Sequence, residues 1–425
     1  MTERVHLKTA LIAFLVAAAL LLSSCGPEKT LSPSAEEISS LSSAAGFLAA
    51  KVEATGGFIS SEAQREKASD YAYLYDNALA AVVLSRVGAQ THAETIADAI
   101  VFAQTHDRTF HDGRLRNTYN SGDPMSDSGR SIASNKVTIR IPGFWENGHW
   151  QEDAYTVSTS TGNMAWTILA LCETAKNASE EKRAVYLEAA DRAGQFVLSL
   201  RSEDGGYTAG YEGWDDAQVK ESYLSTEHNI DLICAFSALA AALEATNPDQ
   251  AAAYREAADH AKAFVWSMYD PELHCFYTGT EEDGKTLSDG VIPLDTNSLA
   301  VLALWGEIDD PASVLSFVEE RMAVGDGYDF SAGDLDGVWN EGTAQMAICF
   351  LMTGDTEKYA SIMAYLKSQA VSDGSIPAAD RDGLSTGFVI AGSDMLWVYN
   401  NEQSISTTAW YALAQLGLNP FDPDA

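Results

Sequence analysis

Six stretches of this chain are apolar on nearly every helical face, and each follows a more charged, amphipathic stretch. The apolar ones begin near Asp76, Thr159, Thr226, Asp295, Glu341 and Ser406, as in "STEHNIDLICAFSALAAAL" and "EGTAQMAICFLMTG". A helix apolar all round must be enclosed by protein. The amphipathic stretches at 36–54, 91–106, 178–201, 248–268, 311–322 and 356–369 are what would enclose them. In the clearest, Asn247 suits the N-cap, Pro248 the first turn and Gln250 a capping box. Tyr254, Ala257, Ala261, Phe264, Val265 and Met268 then share one face. Gly88, Gly306, Gly354 and Gly417 stand where helix C-caps are needed. Gly and aromatic turns such as "TGGFIS", "HCFYTG" and "SDGSIPAA" follow most outer helices and suit short strands or hairpins. Twelve alternating helices close most naturally as six inside six. The rival is an open helical solenoid, but solenoids keep a tight period, and here the inner starts lie between 46 and 83 residues apart.

This alternation, with polar starts on the inner helices, resembles the six-hairpin glycosidase-like superfamily of (α/α)6 toroids. The resemblance covers about residues 36–420. It implies an all-α domain of six inner and six outer helices with short β-hairpins in the connecting loops. It speaks less to reaction, because one fold hosts many functions. In such toroids the loops entering the inner helices ring one end of the barrel, where sites lie.

Those mouths carry Asp76 after "YAYLY", Glu152 and Asp153 after "GFWENGHWQ", Glu227 and His228 in "STEHN", Asp295 after "VIPL", Glu341 after "GVWN" and Glu402 in "WVYNNEQ". Polar residues at a helix start also cap it, and carboxylates there favour the helix dipole. Asp76 and Asp295 fit either role. Glu227 is surplus to capping, because Ser225 or Thr226 can cap. Glu341 follows Asn340, which could cap, and precedes Gly342, an unusual choice for a helix interior. His228 suits a sugar hydroxyl, a proton transfer or a satisfied core position. Trp145, Trp150, Trp339 and Trp397 stand in Gly- and Asn-containing loops beside these acids, and flat apolar faces beside carboxylates suit sugar rings. The expected catalytic residues are therefore Glu227 and Glu341 first, with Asp76 and Asp295 as a second pair. Trp145, Trp150, Asp153, His228, Trp339 and Trp397 are expected to bind substrate. The insertion 107–158 carries Arg114, Arg116, Arg130, Lys136 and Arg140. These pair with acidic neighbours or form a cleft wall that meets a charged substituent.

Arg4 and Lys8 precede the apolar run Leu11–Leu22 and then "LSSC", the pattern of an export signal too short for an ordinary membrane span. Leu22–Cys25 resembles a bacterial lipobox, which implies a signal peptide over 1–24, lipidation of Cys25, a tether over 25–35 and a toroid domain over 36–425. An exported protein, lipid-anchored to the bacterial cell envelope, is expected. The formal charge of -35 would repel phosphate backbones, so nucleic acid is excluded as a partner. Cys172, Cys234 and Cys349 lie in apolar runs and read as buried thiols, while a disulfide at Cys275 stays open. No metal-ligand spacing occurs; no metal or cofactor is expected, and a monomer is. The resemblance implies a carbohydrate substrate and, as the leading reaction, inverting glycoside hydrolysis. The alternatives are sugar epimerisation through His228 or His149, polysaccharide elimination, and a glycan-binding lipoprotein without catalysis.

Overall fold

The computed structural model describes residues 43–61, 71–133, 136–389 and 394–422. The expected signal, Cys25 and the tether lie outside the described residues. The amphipathic helices are α1 (Ser43–Thr55), α3 (Gln90–Thr105), α6 (Glu180–Leu198), α8 (Pro248–Ser267), α10 (Pro311–Met322) and α12 (Thr356–Gln369). The buried ones are α2 (Leu74–Arg86), α5 (Thr161–Lys176), α7 (Thr226–Leu243), α9 (Leu294–Ala303), α11 (Asn340–Thr353) and α13 (Ile405–Leu416). A single turn, α4 (Ala154–Val157), precedes α5. Each buried helix packs on the next, and α13 returns to pack on α2, which closes the ring; the amphipathic helices pack outside it. This is the (α/α)6 toroid. Strands among the described residues are short antiparallel pairs in the loops, with one three-stranded set at Thr159–Ser160, Gly210–Glu212 and Val219–Lys220.

The caps follow from the residues. Asn247 accepts from the Gln250 N–H ahead of Pro248. Gly354 and Gly417 end α11 and α13 in the left-handed region, at φ 85° and 65°, where a Cβ costs about 1–2 kcal/mol. The four described cysteines are free and buried, so Cys275 forms no disulfide among them. No helix among the described residues is long and apolar enough to cross a membrane.

One device recurs six times and fixes the ring. The fourth residue of every inner helix accepts a backbone N–H from the turn that follows an outer helix. Asn77 holds Ile59, Asn229 holds Tyr207 and Asn297 holds Phe276, each at 2.8 Å. Thr343 holds Tyr328 and Thr408 holds Ile376, both at 3.0 Å. Met164 Sδ holds Leu115 at 3.3 Å. The three Asn amides also donate back to Ile59, Tyr207 and Phe276 carbonyls, so both polar groups of each buried turn residue are satisfied. Asn229, one of the four polar groups in "EHNID", is thus a structural clamp.

That register dictates what reaches the ring axis. Two residues before each clamp, at the second helical position, stand Tyr75, Gly162, Glu227, Asp295, Glu341 and Ser406. One turn deeper on the same faces stand Leu79, Trp166, Asp231, Leu299, Gln345 and Trp410. The deeper layer interlocks: Trp166 meets Trp410 edge-on at 5.9 Å, and Ser298 donates to Gln345 at 2.6 Å. A cavity of about 330 Å³ lies at the opposite end of the ring, lined by Arg86, Cys172, Glu173, Cys234 and Phe421; it is remote from the carboxyl layer.

Candidate active site

The upper layer is a cluster of carboxyls that the fold aims inward and encloses. Glu341 is 6% exposed and is held at both oxygens. Tyr75 Oη donates to Oε1 at 2.8 Å and Ser406 Oγ to Oε2 at 2.7 Å. Tyr75 is itself oriented by the Trp410 indole N–H at 2.8 Å. Burial pushes Glu341 up to about 7, and the two donors oppose that shift. Across the ring no hydrogen bond joins the Glu227 carboxyl to any described residue. Burial raises Glu227 well above the ordinary carboxylate value, and the negative charges of Asp295, Asp231 and Glu341 raise it further. Asp295 is 8% exposed. It accepts from the Thr296 N–H at 2.6 Å, yet burial pushes it up to about 6. Asp76, at the third position of α2, acts electrostatically on both Glu341 and Tyr155. No cation figures among the groups that shift Glu227, Asp295 or Glu341. All four expected catalytic acids therefore lie at one end of the ring and are electrically coupled, with Asp76, Asp295 and Glu341 buried and Glu227 half-buried.

Helix α7 is capped by Ser225, whose Oγ accepts from the His228 N–H at 3.2 Å, so capping leaves Glu227 free for the mouth. His228 is half-buried, and desolvation lowers its pKa to about 4. Its Nε2 lies 3.4 Å from Ser160 Oγ and its Nδ1 has no partner. The bare second position of α5 makes room for it: a Cβ on Gly162 would stand 2.6 Å from the ring.

The expected substrate-binding residues fall in different surroundings. Trp339 is 2% exposed. It stacks on Tyr399 at 5.7 Å and meets Phe330 at 4.9 Å, so it supports the wall rather than offering a face. A backbone bridge from Trp339 to Ala379 draws it inward. Gly342 belongs to the same packing, since a Cβ there would stand 2.4 Å from the Trp339 ring; it is no sign of a ligand. Asp153 caps α4, accepting from the Tyr155 and Thr156 N–H groups at 2.8 and 3.2 Å. Trp145 and Trp150 sit on an exposed hairpin, 71% and 43% accessible, in edge contact with each other at 5.7 Å. Trp397 meets Tyr155 at 5.5 Å and so borders the mouth.

The aromatic residues that do border the carboxyls are tyrosines. Burial and the charges of Glu341, Asp295 and Glu227 raise Tyr399, and burial with Asp76 and Glu227 raises Tyr155 to about 12. The Tyr155 ring is 41% accessible while its hydroxyl feels the buried acids, as suits an amphipathic side chain at a rim. Three of the five bases expected in the 107–158 insertion are engaged in ion pairs. Arg116 joins Asp107 and Asp215, Arg114 joins Asp112, and Arg130 joins Asp127. Arg140 donates to the Asp127 and Arg130 carbonyls. Glu152 is occupied by Arg108 at 2.6 Å.

The sequence matches no family model and no curated protein. Solved structures share the fold. A glycosidase variant in complex with glucose superposes with a TM-score of 0.62 at 15% identity, covering 91% of this chain and 99% of that one. An alpha-amylase from Clostridium perfringens gives 0.57 at 10%, over 88% and 97%. A cellobiose 2-epimerase from Bacillus thermoamylovorans gives 0.57 at 10%, over 87% and 94%. At these identities the likeness is one of fold: this chain is a toroid of the kind found in glycosidases and sugar epimerases.

Proposed function

We propose that the chain is a carbohydrate-active enzyme, an inverting glycoside hydrolase acting on an uncharged oligo- or polysaccharide. The observation that carries this reading is the unequal treatment of two acids in one layer, Glu341 buried and Glu227 half-buried. Glu341 has two hydroxyl donors that favour its ionised form. Glu227 has no donor and three acidic neighbours that favour its protonated form. That is the division of labour inversion needs, with carboxyls ~6.5–9.5 Å apart to admit a water. Glu227 gives its proton to the glycosidic oxygen as the bond to the anomeric carbon breaks. Glu341 takes a proton from the water that attacks that carbon from the opposite face. Solvent then returns Glu227 to its acid form and Glu341 to its base form. Asp76 and Asp295 raise the two pKa values without needing to touch the sugar.

An uncharged glycan is favoured because no cation acts on the three acids Glu227, Asp295 and Glu341, and Arg108, Arg114, Arg116 and Arg130 are committed to acids of the protein itself. That also counts against uronate elimination. Sugar epimerisation stands as the second reading, supported by the neutral His228 at the mouth and by the epimerase fold neighbours. A glycan panel followed by reducing-end and sugar-composition assays separates them. Hydrolysis generates new reducing ends; epimerisation converts a terminal sugar and generates none; a binding protein turns nothing over.

The export signal and Cys25 support a lipid-anchored location in the cell envelope. Cys25→Ser is expected to abolish lipid labelling and leave unprocessed precursor. Unlipidated mature wild-type protein in the medium would contradict the anchor.

A further inference from the structure

Asp231 is 0% exposed, and neither of its carboxyl oxygens has a hydrogen-bond partner. Burying a carboxyl so costs several kcal/mol unless it stays neutral or the site uses it. It lies in the deeper layer exactly one N2-to-N6 step below Glu227, four residues on along α7, where side chains on one helix face become neighbours. The groups around it are known from every side. On its own helix are Glu227 and Cys234, on which its charge acts. Asp295 of α9 acts on it, and Trp166 of α5 opposes that effect although its indole does not reach hydrogen-bonding geometry. Tyr75 of α2 feels its charge. Lys262 of α8 reaches only as far as Cys234 and is paired at the surface with Glu307. A metal ion does not account for the cluster. Among the described residues, the acids whose ligand atoms converge closely enough for one are Asp329, Asp334 and Asp336, elsewhere in the loops.

We propose that Asp231 is a positioning residue of the site: from one turn below, its carboxyl opposes ionisation of Glu227 and so keeps Glu227 in its proton-donating form. Two carboxyls on one helix face a turn apart, enclosed with no cation between them, resist ionising together and lose their protons in two separate steps that belong to the pair. Over the interval between those steps Glu227 keeps its proton until a glycosidic oxygen arrives. The proton given to that oxygen is the one on Glu227, and solvent restores it. Asp231 never touches the sugar, because Glu227 and the upper layer stand between.

This rests on the hydrolase reading, so the test has one arm that needs turnover and one that does not. Asp231→Asn keeps size and polarity but cannot exchange a proton. In the pH–rate profile, its alkaline limb is expected to move down by about one pH unit, with the acid limb and the rate at optimum little changed, since a lone Glu227 loses its proton earlier than the pair does. A merely structural role would lower yield or stability without moving that limb. In the other arm, melting temperature is followed from pH 4 to pH 9. A carboxyl raised in the folded state stabilises below its unfolded pKa and loses that contribution as pH rises through its folded pKa. The Asn variant is therefore expected to match wild type near pH 4 and to melt progressively higher than wild type as the pH rises. Parallel melting curves overturn the coupling. Diverging curves with an unmoved alkaline limb overturn the role in the site. If wild type turns over no glycan, the hydrolase reading fails and melting still decides the coupling through a double-mutant comparison: the divergence caused by Asp231→Asn is expected to shrink in a Glu227→Gln background, and equal divergence with and without the Glu227 carboxyl overturns it.

Discussion

Glu341 and Tyr75 show how one hydrogen bond sets a working pH. Turnover is expected to rise as pH passes about 7, because the base must lose its proton, and to fall again as the Glu227 acid ionises. The Tyr75 donor lowers the Glu341 pKa, so Tyr75→Phe removes support for the ionised form. Its acid limb is expected at higher pH by about one unit, the size of a lost hydrogen bond to a charged group. The pH–rate profile checks this; an unmoved acid limb would separate Glu341 from the base role. Glu227→Gln and Glu341→Gln are each expected to lose about 10²–10⁴-fold in turnover while folding normally. The mouth acids were legible in the sequence because each stood just inside a predicted inner-helix start. The tyrosines were not: Tyr155 stands in the single turn α4 and Tyr399 ends a short strand, Leu396–Tyr399, and the pattern of inner and outer helices fixes the course of neither. Asp231 sat in plain view within "NIDLICAF", a charged residue inside an apolar helix one turn after Glu227. Trp339 misled because its Gly- and Asn-flanked loop looks open, while a backbone bridge and two ring contacts close it.

At the scale of elements, inner-helix starts read from apolar runs fall within two residues of those observed, since an enclosed helix advertises itself on every face. The clamps at the fourth position were not anticipated, although the signal existed: Asn, Asn, Asn, Thr and Thr recur at one offset from five of the six starts. Asn229→Ala removes three hydrogen bonds, to Tyr207 N, Tyr207 O and Ser225 O, and leaves buried backbone groups unpaired. A loss of about 2–4 kcal/mol is expected by urea denaturation, with Asn297→Ala similar because it holds Phe276 in the same way. If either variant is as stable as wild type, the clamps are not what fixes the ring. Gly342→Ala pushes a methyl group into the Trp339 ring and is expected to cost about 1–3 kcal/mol through overpacking.

The whole molecule concentrates unbalanced acid at its centre. Glu227, Asp231, Asp295 and Glu341 are all raised by burial, so each stabilises the fold at low pH and loses that contribution as pH rises through its folded value. The melting temperature is expected to fall between pH 5 and pH 8, in contrast to a protein whose carboxylates are held ionised by salt bridges; a flat or rising curve would contradict the clustering. Closure of the ring was readable from the uneven spacing of the inner helices, and only closure brings Tyr75 and Glu341, 266 positions apart, into contact. The acid–base division between Glu227 and Glu341 is the centre of this account. It is tested most directly by comparing two glycosides of the sugar that wild type cleaves, one with an unactivated alcohol as leaving group and one with an activated phenol. An activated phenol departs without a proton, so Glu227→Gln is expected to be crippled on the first and largely restored on the second, whereas Glu341→Gln stays crippled on both. Equal losses on the two substrates in Glu227→Gln, or near-wild-type rates in both variants, would contradict it.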